Sequence, residues 1–192
     1  DECGVCDGDG AIYECGCTDI PYSECDCDGN VEDCAGECGG SAEIDECGIC
    51  GGSGDDDDDG LCPNGTPVEF LFNMSIQQAF YFFNTVTIDG NNLDSDDWVG
   101  AFNGEVCVGA RKWDTSLCGN GICDVPAQGY DGNNFTDGYC IMGDIPTFKI
   151  YDASANGGAG EYFDAVASED IPPWSNNQYY TTNVLENTAY GC

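Results

Sequence analysis

The sequence predicts a mostly β protein in two parts: a loop-rich N-terminal segment stapled by disulfides or metal, then an antiparallel β-sandwich. Three observations carry this. Eleven of the 16 cysteines fall between Cys3 and Cys62. From Val68 onward apolar residues alternate with period two, the signature of half-buried strands. No stretch carries the period of an amphipathic helix. The boundary is placed between Gly60 and Thr66, giving segments 1–62 and 63–192.

The first segment is built from variants of one box. "DECGVCDGDG" opens the chain, followed by "YECGCTDI", "SECDCDGN", "EDCAGECGGSA" and "DECGICGGSG". Its large apolar side chains are Val5, Ile12, Tyr13, Ile20, Tyr22, Val31, Ile44, Ile49 and Leu61, too few to bury a core. Cross-links or metals must hold it. A small repeated unit that cannot bury its own face is how stacked, rod-like modules are made.

In the second segment Val68, Phe70, Phe72, Met74 and Ile76 alternate with Glu69, Leu71, Asn73 and Ser75. Phe80, Phe82, Val86 and Ile88 continue that parity to the turn signal Asp89-Gly90. Further strands fit "DWVGAF" with Trp98 and Phe102 inward, "EVCVGA" with Val106 and Val108 inward, "PTFKIYDA" with Phe148 and Ile150 inward, and "YYTTNVL". Asn103-Gly104 reads as a two-residue hairpin turn. Six or seven short strands with frequent Gly and Asn turns indicate a sandwich.

Charge narrows the function classes. Three basic residues stand against 37 acidic ones, there is no histidine, and the formal charge is -34. Phosphate binding needs clustered Lys and Arg, so nucleic acid is excluded as a partner. Anionic membrane surfaces are disfavoured, and no run of apolar residues is long enough for membrane insertion as a helix. The chain opens at Asp1 without an apolar leader, so any signal peptide is expected to be removed or to lie outside this segment.

Self-repulsion on this scale calls for counter-ions, and carboxylate oxygens suit calcium. Asp55, Asp57 and Asp59 before Gly60 fit the opening of a calcium loop, although Thr66 stands where an EF-hand needs its last acid. The plainer reading of this run is a solvated acidic linker. Weaker candidates are Asp7 and Asp9, Asp26 and Asp28 with Asn30, Asp89 with Asn91, Asp94 and Asp96, and Asp131 with Asn133 and Asp137. Each also fits an ordinary Asp/Asn/Gly turn.

All 16 cysteines are read as disulfide partners: Cys3, Cys6, Cys15, Cys17, Cys25, Cys27, Cys34, Cys38, Cys47, Cys50, Cys62, Cys107, Cys118, Cys123, Cys140 and Cys192. That density belongs to oxidising, extracellular compartments. The close pairs Cys15-x-Cys17 and Cys25-x-Cys27 are poorly placed to bridge internally, so each bridges to another turn. Zinc between Cys3-x-x-Cys6 and Cys47-x-x-Cys50 is the sharp alternative, but the pairs lie too far apart for a zinc ribbon. A redox C-x-x-C lacks its βαβ context. The two segments hold 11 and five cysteines, so complete oxidation requires a bridge between segments or between chains, and Cys192 is placed for either.

Catalysis has little to work with: without histidine there is no nucleophile–histidine arrangement, and no phosphate-binding glycine pattern occurs. The chain is therefore read as non-enzymatic. Trp98, Trp113, Trp174, Tyr179 and Tyr180 are candidates for a sugar-stacking platform, with a core role as the plainer reading for Trp98. Arg111 and Lys112 beside Trp113 are a candidate dock for an acidic surface, such as another copy of the chain, with a local ion pair as the alternative. Asn73 and Asn134 head candidate glycosylation sequons, as does Asn64.

The run "DCAGECGGSAEIDECGICGGSG" resembles the "DCxGxCGGxAxxDECGxCGG" repeats of large secreted and surface proteins. The acid run after it is similar to thrombospondin type 3 calcium repeats, though shorter than a full array. The stretches "DWVGAFNGEVCVGARKWDT" and "GDIPTFKIYDAS" resemble a β-sandwich module of secreted bacterial surface proteins. These resemblances imply multi-module extracellular architecture and supply no catalytic set. The expectation is a calcium-stabilised structural protein at the cell surface, assembling with other copies of itself as a filament or adhesin. The alternative is a carbohydrate-binding module whose partners are glycans.

Overall fold

The computed structural model describes residue 10 and residues 14–45, 47–52 and 60–188. The chain divides into two compact units, 1–54 and 55–192.

Not one described residue of the first unit is fully buried, as its shortage of apolar side chains predicts, and Tyr22 and Ile44 face solvent. Order comes from turns. The Asp33 N–H donates to the Glu37 carbonyl (3.0 Å), Gly36 N–H to Asp33 O (2.9 Å) and Gly39 N–H to Val31 O (2.9 Å), closing a miniature hairpin with Glu32 opposite Cys38. Asp45, Gly48 and Gly51 repeat the same three bonds, with Ile44 opposite Cys50. Gly36 and Gly48 sit at φ 79° and 77°, the left-handed region that a glycine occupies without strain. The repeat step here is therefore 12 residues, Asp33 to Asp45.

The pattern returns in the second unit at Cys62, whose N–H donates to Thr66 O while Gly65 N–H reaches Cys62 O and Val68 N–H reaches Gly60 O. No aspartate stands at that position. Asn64 Oδ1 instead accepts the Thr66 N–H at 3.0 Å.

The second unit is one curled sheet of eight strands: β1 (Gln78–Ile88), β2 (Asn91–Asn92), β3 (Trp98–Asn103), β4 (Val106–Lys112), β5 (Cys123–Gln128), β6 (Thr147–Asp152), β7 (Glu161–Ala167) and β8 (Tyr179–Asn187). Their order is β2-β1-β8-β7-β6-β3-β4, with β5 also paired to β1. All pairs are antiparallel except β1 with β8, which run parallel in register Phe80↔Tyr179 to Thr87↔Glu186. The curl brings β4 against β5. At Gly109 a Cβ would strike the Pro126 carbonyl, so only glycine allows this approach, and Arg111 Nη2 binds Asp124 Oδ1 at 2.8 Å across the same seam.

Tyr81, Phe83, Val99, Ala101, Val108, Val125, Phe148, Ile150 and Leu185 fill the enclosed core. A second cluster forms on the opposite face, where Phe70 packs over Phe102, Cys107 and Tyr151 with Leu61, Phe72 and Trp98 around them.

Several expectations are corrected. Residues 68–76 are not a strand: Val68–Phe70 is a 3-10 turn, and Met74 and Ile76 are 72% and 85% exposed. In β1 the buried aromatics are Tyr81 and Phe83, while Phe80 stacks outside on Tyr179 at 5.4 Å. Parity misleads there because "AFYFF" is apolar on both faces. Asn84 and Thr85 are then both exposed, so burial passes to the even position Val86. Val99 and Ala101 face the enclosed core where Trp98 and Phe102 were expected, because β3 is covered on both sides. Val106 is exposed. The hairpin turn is Gly104-Glu105, since Asn103 pairs with Val106. Asp89-Gly90 is a turn as read, both residues having positive φ.

Candidate functional site

Three bridges give the first unit a stagger: Cys15–Cys27, Cys25–Cys38 and Cys34–Cys50. Cys15 and Cys25 thus bridge to other turns, as their spacing from Cys17 and Cys27 requires. Cys17, Cys47 and Cys62 are disulfide-bonded as well, and Cys118 pairs with Cys123. Bonded Cys47 and Cys50 are not free to ligate zinc. Cys107 and Cys140 depart from the expectation: both are free thiols, buried at the sheet. Burial pushes them up to about 11 and about 12 respectively, and they are inert packing groups. The parity argument applies to complete oxidation, a condition these two thiols do not meet. Cys3, Cys6 and Cys192 lie outside the described residues.

The carboxylates of the boxes hold their own turns. Asp33 Oδ1 accepts the N–H groups of Ala35 and Glu37 and its Oδ2 accepts that of Ala42, each at 3.0 Å. Asp26 Oδ1 accepts from Asp28 and Asn30, and its Oδ2 accepts from Asn30 Nδ2 at 2.6 Å. These bonds hold both carboxyls below the usual range, Asp26 chiefly through the Asn30 side chain and Asp33 chiefly through the Ala42 N–H. A Cβ on Gly40 would meet the Asp33 carboxylate, and one on Gly52 that of Asp45, which explains the paired glycines closing each box. Asp7, Asp9, Asp55, Asp57 and Asp59 lie outside the described residues.

On the sheet, Asp89, Asn91 and Asp94 do converge, around a cavity of about 290 Å³ that Asp97 and Asp152 also line. Sequence reasoning missed both of these acids as partners, because the sheet brings Asp152 in from β6. Asp97 is buried; its Oδ2 accepts the Asp94 N–H at 2.7 Å and its Oδ1 the Ala153 N–H at 3.0 Å. Burial pushes its carboxyl upward. Asp152 Oδ1 is occupied by Ser154 and Ala155. Among the described residues, no three His, Cys, Asp or Glu side chains are grouped to hold a metal ion.

The basic pair takes the local ion pairing that was its alternative reading. Arg111 is paired with Asp124, Lys112 with Asp96 at 2.8 Å, and Trp113 is 4% exposed. The third cation, Lys149, pairs with Glu69 at 3.2 Å. Asp114 caps a short turn, accepting the Ser116 N–H. The aromatic platform dissolves for a similar reason. Trp113 and Trp174 are buried, with Trp174 Nε1 donating to Ala127 O, and Trp98 packs in the second cluster. Tyr180 leans on the core with its hydroxyl on Pro173 O, leaving Tyr179 outward.

All three sequon asparagines, Asn64, Asn73 and Asn134, are exposed. Asn73 Nδ2 donates to Phe135 O, and Thr136 of the Asn134 sequon is buried against Asp131. Asp131 Oδ1 takes the Thr136 hydroxyl at 2.8 Å and the Asn133 N–H at 3.1 Å, which with Asn133 Nδ2 holds its carboxyl at about 2. No described helix is long and apolar enough to cross a membrane. No protein-family model, curated protein or solved structure matches the chain.

Proposed function

We propose that the chain is a non-enzymatic structural module of an extracellular surface assembly. The cysteine-rich unit serves as a stiff acidic spacer, and the sheet unit makes the contacts to further copies. One observation carries this: the first unit is ordered by overlapping disulfides and by turns repeating at a 12-residue step, with no buried core among its described residues. Such bonding suits an oxidising compartment. Calcium belongs to the same proposal. It rests on the charge of -34, on the acid run 55–59, and on the likeness of that run to type 3 calcium repeats.

The test is negative-stain electron microscopy with light scattering, on the intact chain in calcium, in chelator and in reductant. Assemblies that loosen in chelator or reductant support the proposal. Monomers in every condition overturn the assembly role.

A further inference from the structure

We propose that the sheet unit carries a second cavity that binds an uncharged, hydroxyl-rich ligand, a sugar ring or short neutral saccharide. The cavity measures about 330 Å³ and lies among the second half of β1, β2 and the loop after β4. Pockets for small ligands span about 300–1,000 Å³, so this one has room for a single ring or a disaccharide. It is independent of the assembly reading, because either surface can operate without the other.

Phe83, Leu93 and Trp113 line its apolar part, with Phe83 and Trp113 almost wholly buried behind it. Asn84, Asn92 and Thr115 supply polar groups. Among the described residues the side chains of Asn92 and Thr115, with that of Thr85, make no hydrogen bond, and all three are exposed. Amides and hydroxyls offer a donor and an acceptor from one side chain. That is the pairing a ring of hydroxyls needs, with the half-buried Leu93 as the apolar side chain that remains open to its C–H face.

Charge selects among ligands. Among the described residues no ionisable side chain lines this cavity, in a chain with 37 acids. The neighbouring cavity, which shares Asn92 and Leu93, is lined by four carboxylates. Cations are drawn there, and anions are repelled by the molecule as a whole. A neutral ligand avoids both effects.

The wall is also fixed before any ligand arrives. Cys118–Cys123 closes the loop that contributes Gly121, and Asp114 caps the Thr115–Leu117 turn. A preformed wall spares the ligand the cost of ordering it.

The experiment is saturation-transfer NMR on the intact chain with glucose, galactose, mannose, N-acetylglucosamine and cellobiose, and galacturonate as the charged comparison. At least one neutral sugar is expected to bind, with affinity falling about tenfold in Asn92→Ala and in Thr115→Val. It is expected to be unchanged in Tyr179→Ala, which lies outside the cavity. Melting temperatures of the three variants confirm that they fold. Three results each overturn the proposal: no neutral sugar binding at millimolar concentration, affinity unmoved in both cavity variants, or galacturonate binding as well as galactose. None of them bears on assembly, which is read by microscopy.

Discussion

Gly109 shows how far one residue can decide the shape of the sheet. Its missing Cβ lets β4 approach the backbone of β5 at Pro126. The obstruction is a main-chain carbonyl that cannot rotate aside, so Gly109→Ala is expected to cost about 3 kcal/mol, read by denaturant unfolding of the intact chain. Asp131 acts through charge. Its folded carboxyl sits at about 2, below the ordinary aspartate value of 3.8. A depressed carboxyl contributes stability that is present above the unfolded value and is lost as pH falls through the folded one. Thermal melts between pH 5 and pH 2 are therefore expected to fall less steeply in Asp131→Asn than in the parent. Asp97 works with the opposite sign: its raised carboxyl favours the folded state while protonated and ceases to as pH rises.

Among the elements, bridges differ by the length of chain they close. Cys34–Cys50 spans 16 residues and Cys118–Cys123 spans five. Chain entropy assigns about 3 kcal/mol to the first and about 2 to the second. Limited proteolysis is expected to cut residues 35–49 readily in a Cys34→Ser/Cys50→Ser variant, while a Cys118→Ser/Cys123→Ser variant keeps its sheet. Strands were legible where inward residues alternate, as Phe148 and Ile150 do in β6, even though Tyr151 is also buried, on the other face. β5 was not legible because Pro126 interrupts its run, and the sheet tolerates that proline on a strand paired only to β1. β3 was found, but its parity was not readable with Phe70 covering the far side. The box repeat was visible in sequence, yet its 12-residue step was hidden. The first cysteine of the box shifts by one place between Cys34 and Cys47, while the hub aspartates Asp33 and Asp45 hold the step. Asp152 could not be assigned to the acidic cavity from sequence, because only the β3–β6 pairing brings it near Asp97.

Across the whole molecule, all three cations are already spent in ion pairs, so the remaining charge is acid facing acid. Raising ionic strength shortens the reach of that repulsion to about 10 Å at 0.1 M. The melting temperature is therefore expected to rise with sodium chloride, the reverse of a protein held by surface ion pairs, and a calorimetric salt series reads it. The overlap of the three bridges also has a mechanical meaning. Cys25 lies inside the loop closed by Cys15–Cys27, and Cys34 inside that closed by Cys25–Cys38. Tension applied between residues 15 and 50 passes from sulfur to sulfur, with only two short runs of backbone in its path. At about 3.6 Å per extended residue the taut length is about 40 Å, where the unbridged chain would reach about 125 Å. The segment behaves as a tether whose reach stays capped near that taut length even when its turns melt.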